Sequence, residues 1–225
     1  VTGCYAQISP DELAGLPEVD IVAGTGEKGN ILDYVTEALR LGGNSRTAQV
    51  HIKSRKQLCE YQDRGIITSM ESRTRAYIKI QEGCDRFCTY CLIPFARGQV
   101  RSRNPREVIA EAEALIGKGF KELILTGINT ALYGSEEDFE EKYPDFRPEL
   151  SGVEKILAEI EELSGDFRIR LSSLEPTVVD GDYAQGLMKY SRLCHHLHLS
   201  AQSGSDHVLR LMNRPYTRND YLDIV

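Results

Sequence analysis

Hydrophobic positions along the chain fall into short continuous runs separated by stretches of helical spacing, and the two kinds alternate. After a short helix following Pro10, Val19-Asp20-Ile21-Val22-Ala23-Gly24 reads as a buried strand closed by glycine. Ile31, Leu32, Val35, Ala38 and Leu39 then share one helical face, which completes an αβα alternation. Val1-Thr2-Gly3-Cys4 reads as the end of a strand entering a loop. From Gly42 to about Arg75 the periodicity fades, polar residues dominate and Lys53-Ser54-Arg55-Lys56 forms the densest basic run, so a domain connection belongs there. The expected division is residues 1–42, a connecting segment 43–74 whose successor begins near Ser72, and residues 75–225.

The last segment repeats strand and helix. Ala76 to Ile80 reads as a strand, and Asn104 with Pro105 caps a helix through Val108, Ala112, Leu115 and Ile116 that ends at Gly117 and Gly119. Glu122 to Thr126 is a second strand, Val153 to Leu163 a helix, Phe167 to Leu171 a third strand, Asp182 to Tyr190 a helix, and His196 to Ala201 a fourth strand. A final helical pattern covers Tyr221 to Val225. Such alternation implies an α/β fold with a parallel sheet, open or closed into a barrel, and reactive residues at the C-terminal strand ends. Those ends carry Glu82-Gly83-Cys84, Thr126-Gly127-Ile128-Asn129, Ser172 to Pro176, and Gln202 to Ser205.

Composition narrows the picture. No apolar run approaches the roughly 18–20 residues that cross a bilayer, and the start lacks the regions of a signal peptide, so a reducing, cytoplasmic setting without a membrane is expected. A net charge of -7 argues against a chain that grips nucleic acid with its whole surface. Three of the six cysteines, Cys84, Cys88 and Cys91, crowd into one short stretch, a poor layout for disulfides and a good one for metal. Three thiolates leave a metal position open, which a catalytic site keeps and a structural site closes. The bland alternative is a zinc-stabilised RNA-binding module without chemistry, with His195, His196 or His198 as fourth ligand and the basic run from Arg97 to Arg106 against phosphate.

Cys84-x-x-x-Cys88-x-x-Cys91, with Tyr90 before the third cysteine, resembles the signature of the radical S-adenosylmethionine (radical SAM) superfamily. The resemblance implies a 4Fe-4S cluster held by the three cysteines, SAM on the open iron, Tyr90 beside its adenine, and cleavage of SAM to a 5'-deoxyadenosyl radical. Gln81 to Cys84, Ile93 to Gly98, Arg101 to Arg103 and Gln202 to Asp206 are similar to methylthiotransferases of that superfamily. Thr2 to Gln7, with Val19 to Thr25, resembles the later part of their Rossmann-like N-terminal domain. By that likeness Cys4 is the third ligand of an auxiliary 4Fe-4S cluster, two ligands lie upstream, and the chain is expected to be cut at both ends. The implied fold is a partial (βα) barrel preceded by the end of that αβα domain.

Thr126 to Thr130 followed by Tyr133-Gly134, together with Arg168 to Pro176, looks most like the branch that modifies N6-threonylcarbamoyladenosine in tRNA. Relatives act on isopentenyladenosine in tRNA or on an aspartate of a ribosomal protein, and the triplet does not separate the three. The implied reaction puts a methylthio group on adenine C2, consumes two SAM molecules, and takes electrons from a donor such as flavodoxin or ferredoxin.

Other positions have competing explanations. Arg97, Arg101, Arg103 and Arg106 could meet the SAM carboxylate or tRNA phosphates, or pair with nearby glutamates. Asn129, Ser172, Glu175 and Gln202 stand at strand ends within reach of a cofactor's ribose or methionine part. His196 and His198 share a strand face and line a cavity or sit in a polar core. Cys59 and Cys194 read as buried or half-buried thiols, and Glu136 to Glu141 as a solvated loop.

Overall fold

A short apolar run followed by a helical stretch makes a βα unit, and the computed structural model gathers such units into two groups. It describes residues 1–40, 47–62, 65–67 and 74–225. One compact unit comprises residues 1–64, 83–87 and 91–99; the other comprises residues 65–82, 88–90 and 100–225. The boundary expected at 42–43 and the start near Ser72 lie outside the described residues.

The first unit contains α1 (Cys4–Ile8), α2 (Pro10–Ala14), β1 (Ile21–Ala23), α3 (Ile31–Arg40), β2 (Gln49–His51) and α4 (Ile93–Ala96). β1 and β2 pair in parallel, Val22 opposite Val50, so a strand lies inside the stretch read as a connection. Ala6, Leu13 and Val22 form the buried centre. Thr2 makes a single parallel bridge to Ala23, but Cys4 does not lie in a loop as expected. Gly3 turns the chain at φ +120, and its carbonyl accepts from Gln7 N at 3.1 Å, which starts a helix at Cys4.

The second unit contains β3 (Arg75–Lys79), β4 (Gln81–Glu82), β5 (Arg101–Ser102), α5 (Pro105–Gly117), β6 (Glu122–Thr126), α6 (Phe139–Lys142), α7 (Glu154–Glu161), β7 (Arg168–Leu171), β8 (Ser173–Leu174), α8 (Gly181–Met188), β9 (His198–Leu199), α9 (Asp206–Leu211) and α10 (Arg218–Ile224). β3, β6 and β7 form a parallel sheet in that order, Ile78 opposite Leu125 and Leu125 opposite Leu171. β8 continues beyond β7 and pairs in parallel with β9. Along β3, β6 and β7 each parallel strand pairs with the next parallel strand in the chain, which is the order of a barrel wall. Ile78, Ile80, Leu123, Leu125, Ile169 and Leu171 are buried together with Val108, Ala112 and Leu115 of α5 and Ile156, Leu157 and Ile160 of α7. Each fully buried leucine contributes about 1.5–3 kcal/mol. α5 begins as its sequence demands: Pro105 opens it and the Asn104 side chain accepts from Arg106 N at 3.0 Å.

Three expectations fail here. The strand foreseen over 196–201 shrinks to His198–Leu199, because His196 N bonds back to the Cys194 carbonyl and Ala201 N to that of Leu199, closing tight turns on both sides. His195, His196 and His198 are all exposed, so they are not polar core residues. Nor is 136–141 merely a solvated loop. Phe139 is buried, and Glu136 accepts from the Ser102 backbone N at 2.5 Å and from its Oγ at 2.8 Å.

Candidate active site

Parallel βα units present their C-terminal strand ends to one face, and the cysteine loop leaves the second unit there. It departs from β4 and returns in β5, two strands that pair antiparallel with Gln81 opposite Ser102. Gly83 at φ +75 opens the loop, and a Cβ there would collide with the Gln99 carbonyl oxygen. Only glycine satisfies both demands.

Within the first unit, Cys84 N donates to the Gly98 carbonyl at 3.1 Å, and Cys84 and Cys91 are half-buried. Phe87 sits at φ +48, an uncommon conformation for a bulky side chain. Neighbours hold it there: Phe95 meets it edge-on at 5.6 Å, and the Arg55 guanidinium lies 4.9 Å from its ring centre. Arg55 also binds Asp85 Oδ1 at 2.5 Å and the Pro94 carbonyl at 3.2 Å. Arg97 donates from Nε to Cys4 Sγ at 3.0 Å, so in this unit its guanidinium faces a thiol.

Within the second unit a polar chain joins several strand ends. Gln81 is wholly buried, and its Oε1 accepts from the backbone N of Ile128 at 2.9 Å and of Asn129 at 3.0 Å. A side chain at position 127 would strike that amide, which explains Gly127. Asn129 Nδ2 donates to Glu175 Oε2 at 3.2 Å; Glu175 Oε1 accepts from Arg214 Nη1 at 2.5 Å; Arg214 Nη2 donates to the Tyr90 phenol at 2.7 Å. Cys88 is buried and Tyr90 half-exposed. Among the described residues, Asn129 Oδ1, Ser172 Oγ and Arg214 Nε are buried without a partner. One acceptor, one hydroxyl and one donor thus keep hydrogen-bonding capacity for a polar ligand. Burial pushes the Tyr216 phenol up, so it stays protonated and donates to the Ser200 and Ala201 carbonyls at 2.9 and 3.0 Å. Gln202 stands exposed at φ +60.

Of the arginines expected to meet a cofactor or phosphate or to pair with glutamates, Arg103 takes the second course. Arg103 is buried with Nη1 2.5 Å from Glu111 Oε2, Arg101 is buried, and Arg106 is exposed. Cys59 is exposed rather than buried, and Cys194 is half-buried. Arg214 was not singled out from the sequence, and Arg55 was read only as part of a basic run. Asn213 before Arg214 signals a helix-ending turn, and it does adopt φ +56, but nothing local announces the partners of the arginine.

The chemistry of the three donors is that of iron-sulfur cluster ligands. Cys84, Cys88 and Cys91 carry thiols rather than disulfides, and thiolates are the ordinary ligands of such clusters. Among the described residues no three His, Cys, Asp or Glu side chains are grouped to hold a single ion. Among the described residues no helix is long and apolar enough to cross a membrane.

Comparison with known proteins adds an independent line. The family model of the Radical SAM superfamily matches residues 78–225. The threonylcarbamoyladenosine tRNA methylthiotransferase MtaB of Bacillus subtilis is 39% identical over 228 residues, covering 99% of this chain and 46% of the relative. MtaB of Thermotoga maritima is 39% identical over 100% of this chain and 47% of its own length. The tRNA-2-methylthio-N(6)-dimethylallyladenosine synthase of Clostridium tetani is 32% identical over 100% of this chain and 47% of its own. The chain therefore spans about half the length of the curated relatives it matches.

Proposed function

Because the chain belongs to the radical SAM superfamily, we propose that it carries the cluster-binding core of a methylthiotransferase acting on C2 of N6-threonylcarbamoyladenosine in tRNA. One observation carries the substrate assignment: whole-chain identity is 35–39% to three threonylcarbamoyladenosine enzymes against 32–33% to five dimethylallyladenosine enzymes. A reducing, cytoplasmic setting and an electron donor such as flavodoxin or ferredoxin belong to the same reading.

Cys84, Cys88 and Cys91 would hold a 4Fe-4S cluster, and Cys4 would serve as one ligand of an auxiliary cluster. When bound, the cluster with SAM supplies one-electron cleavage of the sulfonium, the chemistry that an adenine C2–H, neither acidic nor readily attacked, requires. The chain's own residues bind and orient. Tyr90 offers a half-exposed ring on which an adenine can stack. Asn129, Ser172 and Glu175 supply an amide oxygen, a hydroxyl and a carboxylate at the strand ends, suited to a cofactor's ammonium and ribose hydroxyls. Gln202 lies beyond β9 and is assigned to the same cofactor. Arg97 would place a positive charge against the Cys4 sulfur.

The test is nucleoside mass spectrometry of tRNA from a deletion strain. Loss of the 2-methylthio derivative of threonylcarbamoyladenosine, restored by the gene, is expected; its persistence with loss of the isopentenyladenosine derivative would transfer the assignment to the other branch. Anaerobic reconstitution should give about four irons on the triplet and 5'-deoxyadenosine from SAM on reduction.

A further inference from the structure

We propose that Arg214 is a positioning residue that holds the Cys88–Tyr90 segment in place before any cofactor binds, an inference that rests on the reading of the triplet as cluster ligands. Three bonds tie this segment to the turn that ends α9. Thr89 N donates to the Met212 carbonyl at 3.2 Å, Thr89 Oγ1 to the Leu211 carbonyl at 2.9 Å, and Arg214 Nη2 to the Tyr90 phenol at 2.7 Å. The partners of the last bond are 124 residues apart in sequence, so the contact belongs to the fold.

The turn is a firm base. Arg214 N donates to the Leu209 carbonyl at 2.9 Å, and Asn213 takes the left-handed conformation that ends helices. From it the guanidinium reaches two ways, to Glu175 on one arm and Tyr90 on the other. Glu175 is itself held by Asn129, whose backbone rests on Gln81. The side chain of Arg214 is 9% exposed and that of Glu175 6%, so little water competes for their ion pair. A planar fork with several fixed donors makes both contacts at once, which an ammonium on a flexible stem does not. Arg214 thus couples the loop bearing Cys88 and Tyr90 to the strand ends that carry Asn129 and Glu175.

The experiment is hydrogen exchange of the metal-free full-length protein, read at the Thr89 and Tyr90 amides. Wild type is compared with Arg214→Met, Arg214→Lys, Tyr90→Phe and the Arg214→Met/Tyr90→Phe double variant, with iron uptake measured in parallel. Loss of one charge-assisted bond should speed exchange at Thr89 about tenfold in Arg214→Met and in Tyr90→Phe, no further in the double variant, and without rescue by lysine. The proposal is overturned if Tyr90→Phe exchanges like wild type, since Arg214 would then act through Glu175 alone. Should Arg214→Met also loosen β6, the fold has suffered, and Tyr90→Phe, which leaves the Glu175 pair intact, decides by itself. A wild type that takes up no iron sinks the cluster reading, while the exchange result still judges the Arg214 contact.

Discussion

Alanine at Gly83 separates two costs that a left-handed glycine conceals. Gly83 sits at φ +75 and Gly119 at φ +88, so a side chain at either position carries a backbone penalty of about 1–2 kcal/mol. Around Gly119 an added Cβ meets nothing within 4 Å, whereas at Gly83 it lands on the Gln99 carbonyl. Backbone cannot swing aside as the end of a side chain does, and forced overpacking adds about 1–3 kcal/mol. Gly119→Ala is therefore expected to lose about 1–2 kcal/mol and Gly83→Ala about 2–5 kcal/mol. In a chain of this size each kcal/mol lowers the thermal midpoint by about 2–4 °C, so circular dichroism melts of the metal-free protein resolve the two. Gly83→Ala should also retain less iron after reconstitution, because the displaced loop carries Cys84. Equal losses in the two variants would refute the argument that the Gln99 carbonyl, beyond φ alone, demands glycine before Cys84.

Serine at Cys84, Cys88 or Cys91 should each abolish stable iron retention, while Cys59→Ser leaves it unchanged; elemental analysis under strict anaerobiosis reads both. Gln81→Leu strips the Ile128 and Asn129 amides of their acceptor, at about 1–3 kcal/mol for each buried N–H, which urea unfolding will measure. Hydrogen bonds from Arg170, then Arg168, hold the Glu122 carboxyl below its ordinary value of 4.5. Its contribution to stability is complete above that value and is lost as pH falls through the lowered folded one, so wild type should lose more stability on acidification than Glu122→Gln. At neutral pH that variant should cost about 1–3 kcal/mol, limited because Arg168 and Arg75 remain hydrated when their partner is gone.

Local spacing was enough to locate β3, β6, β7 and α5, because a continuous apolar run or a capped helical stripe depends only on residues within a turn or two. It also singled out the cysteine triplet and the polar strand ends, on which the proposed function rests. Length defeated the same reasoning at His196 to Ala201, where a six-residue pattern yielded a two-residue strand once neighbouring amides bonded within their own turns. Charge defeated it at the arginines. A guanidinium reads as surface in any sequence, yet Arg103 is buried against Glu111, and Arg214 bridges Glu175 and Tyr90 across 39 and 124 residues. The chain alone determined which residues are able to form strands, helices and a thiolate loop. Which buried charges meet was decided only by tertiary structure, because an ion pair out of water is set by the three-dimensional approach of groups that no local period relates.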